Sequence, residues 1–140
     1  MKKILVADKL SKAGTDLLSE SYEVVIKTGL SEDEIIKIIG DFDALLVRSQ
    51  TQVTQQIIDA AKNLKVIGRA GVGIDNIDLD SATEKGIIVV NAPSANTISA
   101  AEHAFGLMLA TARNIPQGNE SLKNGKWERS NLMGLELYGK

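Results

Sequence analysis

The stretch "LKVIGRAGVGIDNIDLDSATEKGIIVVNAP", Leu64 to Pro93, decides the fold of this 140-residue chain. An apolar run, "KVIGRA", leads into two glycines that flank Val72. A short helical pattern, "LDSATEKG", then closes on Gly86 and is followed by a second apolar run, "GIIVVNAP". Ile87–Val90 is apolar at every position, which suits a strand covered on both faces of a parallel sheet. Gly71 and Gly73 raise the question of function. A dinucleotide fingerprint, G-x-G-x-x-G, needs a third small residue at position 76, which is Asn76, and the ribose-binding acid expected at the end of the next strand is replaced by Asn91. The fingerprint therefore fails. Two readings stay open: glycines that leave backbone N–H groups accessible to a ligand, or glycines that simply turn the chain between strand and helix.

The same alternation extends in both directions. "KILVAD", "YEVVIK" and "ALLVRS" read as three earlier strands, separated by helical patterns in "SKAGTDLLSE", "SEDEIIKIIG" and "TQQIIDAAKN". The second helix opens with Ser31 and Glu34 at capping-box spacing, and Gly40 stands where a C′ glycine would stop it. Five strands alternating with helices predict an α/β, doubly wound parallel sheet. After Pro93 the character changes. Ser99 and Glu102 repeat the capping-box spacing at the head of "SAAEHAFGLMLATAR", a helix apolar around most of its circumference and expected to be buried between layers or against another subunit. A further helix is expected from about Pro116 to a stop at Asn124-Gly125, and the tail shows no clear period. A boundary falls near residue 95.

Composition narrows the function classes. With 44% hydrophobic and 24% charged residues the chain has ordinary globular makeup, and its net charge of −2 argues against a nucleic-acid-holding domain. Zero cysteines exclude disulfides and thiolate zinc sites. The apolar run after "MKK" is too short for a secretory signal, and Ala104–Ala112 is about half the length a membrane span requires, so a soluble, cytoplasmic protein with no membrane partner is expected.

In open α/β sheets ligands sit beyond the carboxyl ends of the strands. Four loops belong to that edge: "DKLS", "RSQTQVT", "RAGVGIDN" and "NAPSANT". Two present an arginine as the strand ends, Arg48 and Arg69, each able to fork onto a carboxylate or phosphate. The alternative is local pairing with Asp43 or Asp75. Arg129, in the unpatterned tail, is a third candidate. Arg48 at the end of the third strand excludes a phosphoacceptor receiver, which needs aspartate there. No G-x-S-x-G or Walker loop is present. His103, the single histidine, sits in a mostly apolar helix and is expected to be structural, and one histidine gives no basis for a metal site.

These residues carry a resemblance. "ALLVRSQTQVT" (44–54), the opening stretch, "ANTISAAEHAFGLMLATARNIP" (95–116) and "LKNGKWERSNLMGLELYGK" (122–140) resemble the amino-terminal third of the D-isomer-specific 2-hydroxyacid dehydrogenases, in particular the members that oxidise 3-phosphoglycerate in serine biosynthesis. The resemblance implies a flavodoxin-like substrate domain over 1–95 and, over 96–140, a helical pair that begins an inserted Rossmann domain for NAD. It implies substrate contacts at Arg48, Arg69, Gly71 and Gly73, with Arg129 reaching the substrate phosphate of a partner subunit. Cofactor contacts are implied at Val72, Asn96 and Thr97, and a homodimer or higher oligomer through 96–140. The family's phosphate-binding G-x-G-x-x-G and its catalytic Arg, Glu and His have no counterpart here, and His103 does not match the catalytic histidine. The chain is thus expected to be an inactive fragment of an NAD-dependent enzyme. Two rivals are a sister dehydrogenase acting on glyoxylate or D-lactate, and a non-enzymatic, anion-binding flavodoxin-like module.

Overall fold

The computed structural model describes all 140 residues, which form two compact units, Met1–Ala95 and Asn96–Lys140. The first unit is built from βα repeats: β1 (Lys3–Val6), α1 (Lys12–Ser19), β2 (Glu23–Ile26), α2 (Glu32–Ile38), β3 (Ala44–Val47), α3 (Gln55–Ala60), β4 (Val66–Arg69), α4 (Leu79–Glu84) and β5 (Ile88–Asn91). All five strands are parallel, in the order β2-β1-β3-β4-β5. This is the flavodoxin-like arrangement, whose order reverses beside β1 and β3.

Side-chain alternation divides the sheet into two faces. Val25, Leu5, Leu45, Ile67 and Val89 are register partners in one row. They join Ile35 of α2, Ile57 and Ile58 of α3 and Ala82 of α4 in the core, where Leu5, Leu45, Ile57, Ile58 and Ile67 are fully buried. The adjoining row, Ile26–Val6–Leu46–Gly68–Val90, belongs to the opposite face. Gly68 is packed against Leu46 there: a Cβ at position 68 would stand 2.5 Å from Leu46 Cδ2. The expectation that Ile87–Val90 is covered on both faces is corrected. β5 is an edge strand, and Ile88 and Val90 are exposed on the second face.

Local signals explain most helix ends. Ser31 and Glu34 form the reciprocal capping box of α2. Gly40 does not act as its C′ stop; it lies in a 3-10 turn, Ile39–Asp41, that continues from the helix. Gly86 ends α4 at φ 66°, with its own N–H on Thr83 O and that of Ile87 on Ala82 O, a Schellman closure.

The second unit holds α5 (Thr97–Ala112), α6 (Ile115–Lys123) and a 3-10 turn at Arg129–Leu132. The capping box expected at Ser99–Glu102 is not formed, because α5 begins earlier, with Asn96 as its N-cap. Pro116 lies in the first turn of α6, and Gly125 closes that helix as Gly86 closes α4. No residue of α5 is buried, and no helix is long and apolar enough to cross a membrane. The unperiodic tail is tied back by Leu135 N–H donating to Ala112 O, and by Asn114 Nδ2 donating to Met133 O at 3.1 Å.

Candidate functional site

The carboxyl ends of β1, β3 and β4 carry Asp8, Arg48 and Arg69 side by side. Asp8 is buried. Its Oδ2 accepts from the N–H of Arg48 at 2.6 Å and of Thr51 at 3.2 Å, and its Oδ1 from the Thr51 hydroxyl at 2.7 Å. Burial pushes this carboxyl up. The Thr51 hydroxyl and the amides of Arg48, Thr51 and Gln50 outweigh that and hold it below the ordinary carboxylate value. Asp8 therefore folds the Arg48–Thr51 turn around a fixed negative charge.

Arg48 is exposed and lies between two concavities. One, of about 280 Å³, is lined by Asp8, Lys9, Ser49 and Gln50 as well, and the other by Ser11, Gly14 and Leu18 of the first βα unit with Ala70. Local pairing with Asp43 does not occur, because Asp43 and Arg48 flank opposite ends of β3; Asp43 is engaged instead by Lys2 Nζ at 2.6 Å and by the Lys3 amide at 2.8 Å. Arg69 is more enclosed, its side chain 12% exposed, and its separation from the open carboxylate of Asp75 is 3.9 Å. The firm contact is elsewhere: Arg69 Nε donates to Asn76 Oδ1 at 2.7 Å. Asn76 is itself buried and donates through Nδ2 to the carbonyls of Arg48 and Thr51, both at 2.7 Å.

The two glycines that flank Val72 lie against this arrangement. A Cβ on Gly71 would meet Arg69 Nη1 at 2.5 Å, and one on Gly73 would meet Asp75 Oδ1 at 2.8 Å with Arg69 Nη1 at 3.8 Å. Neither glycine has positive φ: Gly71 leaves room for the guanidinium, and Gly73 leaves room for the Asp75 carboxylate. The loop is pinned at its base by Ala92 N–H on Gly71 O and by Asn91 Nδ2 on Val72 O, and the Val72 side chain stays exposed.

The segment does not fit a dinucleotide pyrophosphate. Asn76, at the third-glycine position, has both donors and its acceptor committed, and the N-terminus of α4 is capped by Asp78, which accepts from Ser81 N–H at 2.9 Å. A carboxylate already stands where a phosphate would need the helix end.

Of the expected site residues, the structure brings Arg48, Arg69, Gly71, Val72 and Gly73 to one sheet edge. Asn96, Thr97 and Arg129 belong to the second unit: the first two open α5, and Arg129 opens the 3-10 turn, all three exposed. His103 lies exposed on α5. Sequence reasoning missed Asp8, Thr51 and Asn76. Asp8 stood in the "DKLS" loop of the ligand edge, which was the available signal; Asn76 was noticed only as a failed glycine.

Comparison with known proteins is consistent along the whole chain. The family model of the D-isomer specific 2-hydroxyacid dehydrogenase catalytic domain matches residues 4–128. A D-3-phosphoglycerate dehydrogenase of Archaeoglobus fulgidus is 56% identical over 139 residues, covering 99% of this chain and 26% of the relative. One of Methanocaldococcus jannaschii is 58% identical over 140 residues, covering 100% and 27%. The chain thus spans about a quarter of the length of these curated relatives. Among solved structures, a protein of Pyrococcus horikoshii OT3 superposes with TM-score 0.86 at 31% identity, covering 100% of this chain and 44% of that one. The NAD+-bound 3-phosphoglycerate dehydrogenase of Entamoeba histolytica does so with TM-score 0.69 at 31% identity, covering 80% and 39%.

Proposed function

The chain belongs to the D-isomer specific 2-hydroxyacid dehydrogenase family, and from that premise we propose that it is the amino-terminal segment of an NAD-dependent D-3-phosphoglycerate dehydrogenase of serine biosynthesis. The reaction is oxidation of 3-phosphoglycerate to 3-phosphohydroxypyruvate. The observation that carries this reading is the pair Arg48 and Arg69, two arginines at neighbouring strand ends, with Asn76 joining the Arg69 guanidinium to the backbone of the Arg48 turn. A substrate with a carboxylate at one end and a phosphate at the other presents two anions for two cations to bind. The naming of relatives at 56% and 58% identity supports the same substrate.

In this reading the 140 residues bind and orient the substrate. Bound NAD would accept the hydride, and Val72, Asn96 and Thr97 are the residues we assign to its contacts. The pyrophosphate cradle and the proton acceptor are assigned to the rest of the enzyme, because the Gly71–Gly73 loop does not fit the first and the single histidine, His103, lies on α5. Arg129 is assigned to the phosphate of a partner subunit's substrate. A homodimer or higher oligomer through 96–140, and a cytoplasmic setting, complete the proposal; the exposed apolar face of α5 supports the first.

The test is steady-state kinetics on the full-length gene product. Arg48→Ala is expected to raise KM for 3-phosphoglycerate by about tenfold or more while KM for NAD stays put, since a charge-assisted pair is lost at one ligand only. Turnover of glyoxylate or D-lactate at rates matching 3-phosphoglycerate would replace this reading with that of a sister dehydrogenase. The 140 residues alone are expected to produce no NADH.

A further inference from the structure

Asn76 sits where a dinucleotide loop would have glycine, and its side chain is fully used. Two backbone carbonyls, of Arg48 and Thr51, can only accept, and Arg69 Nε–H can only donate, so the partners fix the carboxamide in one orientation with every strong hydrogen-bonding group engaged. No other side chain of this length offers two donors and an acceptor in one plane. Aspartate keeps the acceptor and loses both donors; leucine keeps the volume and loses all three contacts.

The same turn is held from its other side. Asp8 takes the N–H groups of Arg48 and Thr51 while Asn76 takes their carbonyls, so both polar faces of the turn are bound, by residues about forty positions before and twenty-five or more after it in the chain. Arg69 enters this network through Nε alone. Its terminal nitrogens make no hydrogen bond within the chain: Nη1 lies beside Gly71, and Nη2 faces the exposed carboxylate of Asp75 at 3.9 Å, a loose pair that a bound anion can replace. Fixing Nε also fixes the plane of the guanidinium, because the fork is rigid.

We infer that Asn76 is a positioning residue for substrate binding: it sets the plane of the Arg69 guanidinium and the conformation of the Arg48 turn together, so that one anion-binding group and the backbone that carries the other are presented as one preformed unit. This rests on the reading that both arginines bind substrate. Held in advance, the Arg69 guanidinium and the Arg48 backbone lose little freedom on binding, which is how such a residue lowers KM without touching the reacting atoms.

The test uses Asn76→Leu and Asn76→Asp in the full-length protein, read in two ways. By NMR, the Arg69 Nε–Hε signal is expected to exchange slowly with solvent in the wild type, to persist in Asn76→Asp and to be lost in Asn76→Leu. In kinetics, KM for 3-phosphoglycerate is expected to rise about tenfold in Asn76→Leu and less in Asn76→Asp, with KM for NAD unchanged in both. A merely structural role would lower the active fraction, and so kcat, with KM unmoved; that result overturns the inference. Should Asn76→Leu fail to fold, Asn76→Asp decides it, and a wild-type KM in that variant overturns the coupling to the Arg48 turn. A wild type that does not turn over 3-phosphoglycerate overturns the functional reading instead. The Nε–Hε signal then still reports whether Asn76 holds Arg69, and its fast exchange in the wild type would overturn the positioning role.

Discussion

Asp8 is the residue through which acid reaches the site. Its carboxyl is held below the ordinary value of about 3.9 in the folded chain and returns to it on unfolding. A lowered folded value means that Asp8 contributes its full share of stability above the ordinary carboxylate range, and that the share is lost as pH falls through the folded value. Asp8→Ala leaves the amides of Arg48 and Thr51 and the Thr51 hydroxyl without this acceptor, and should cost about 1–3 kcal/mol at neutral pH. Urea unfolding of both proteins across the acid range checks this: the gap is expected to narrow as pH falls, and a gap independent of pH would contradict it. Neither Asp8 nor Asn76 was legible in the sequence, for a physical reason. Each acts on backbone groups 25 or more positions away, and an acid at a strand end or an amide in a turn is ordinary until the fold supplies its partners. The placement of the arginines was legible because it follows from where the third and fourth apolar runs end.

Elements whose signals are contained within a few residues could be read in advance. The Ser31–Glu34 box and the closing glycines Gly86 and Gly125 depend on neighbours three to five positions away, and all three formed. Gly86 stands at positive φ with nothing near its missing Cβ, so a side chain there pays only for the left-handed backbone. Gly86→Ala should therefore destabilise by about 1–2 kcal/mol, and Gly86→Asn by less. Thermal or urea unfolding measures both, and equal losses would mean that packing, not backbone strain, sets the cost. Signals that compete were misread. The Ser99–Glu102 spacing lost to a start at Asn96, three residues earlier, and Gly40 was absorbed into a 3-10 turn, where its carbonyl accepts from Asn63 Nδ2 at 2.8 Å. Nor does an apolar run reveal which of its faces will be covered, which is why β5 was expected to be buried on both.

At the scale of the whole molecule, the strand-helix alternation was legible because apolar runs and helical patterns differ in period, whereas association was only hinted at. α5 exposes Ile98, Phe105, Leu107, Met108 and Leu109, with Phe105 at 59%. If this face mediates self-association, Phe105→Glu should shift the protein toward monomer in sedimentation equilibrium while its far-UV circular dichroism stays unchanged; an unaltered mass would exclude α5 from the contact. The strand order has a consequence of another kind, for assembly in time. β2 joins β1, β3 joins the free side of β1, β4 joins β3 and β5 joins β4. Every strand after β1 thus finds a partner already synthesised, and none has to be threaded between two that are paired. The sheet can grow outward in the order in which a ribosome delivers it, with a free edge always open for the next strand: that of β1 for β3, then that of each newly added strand.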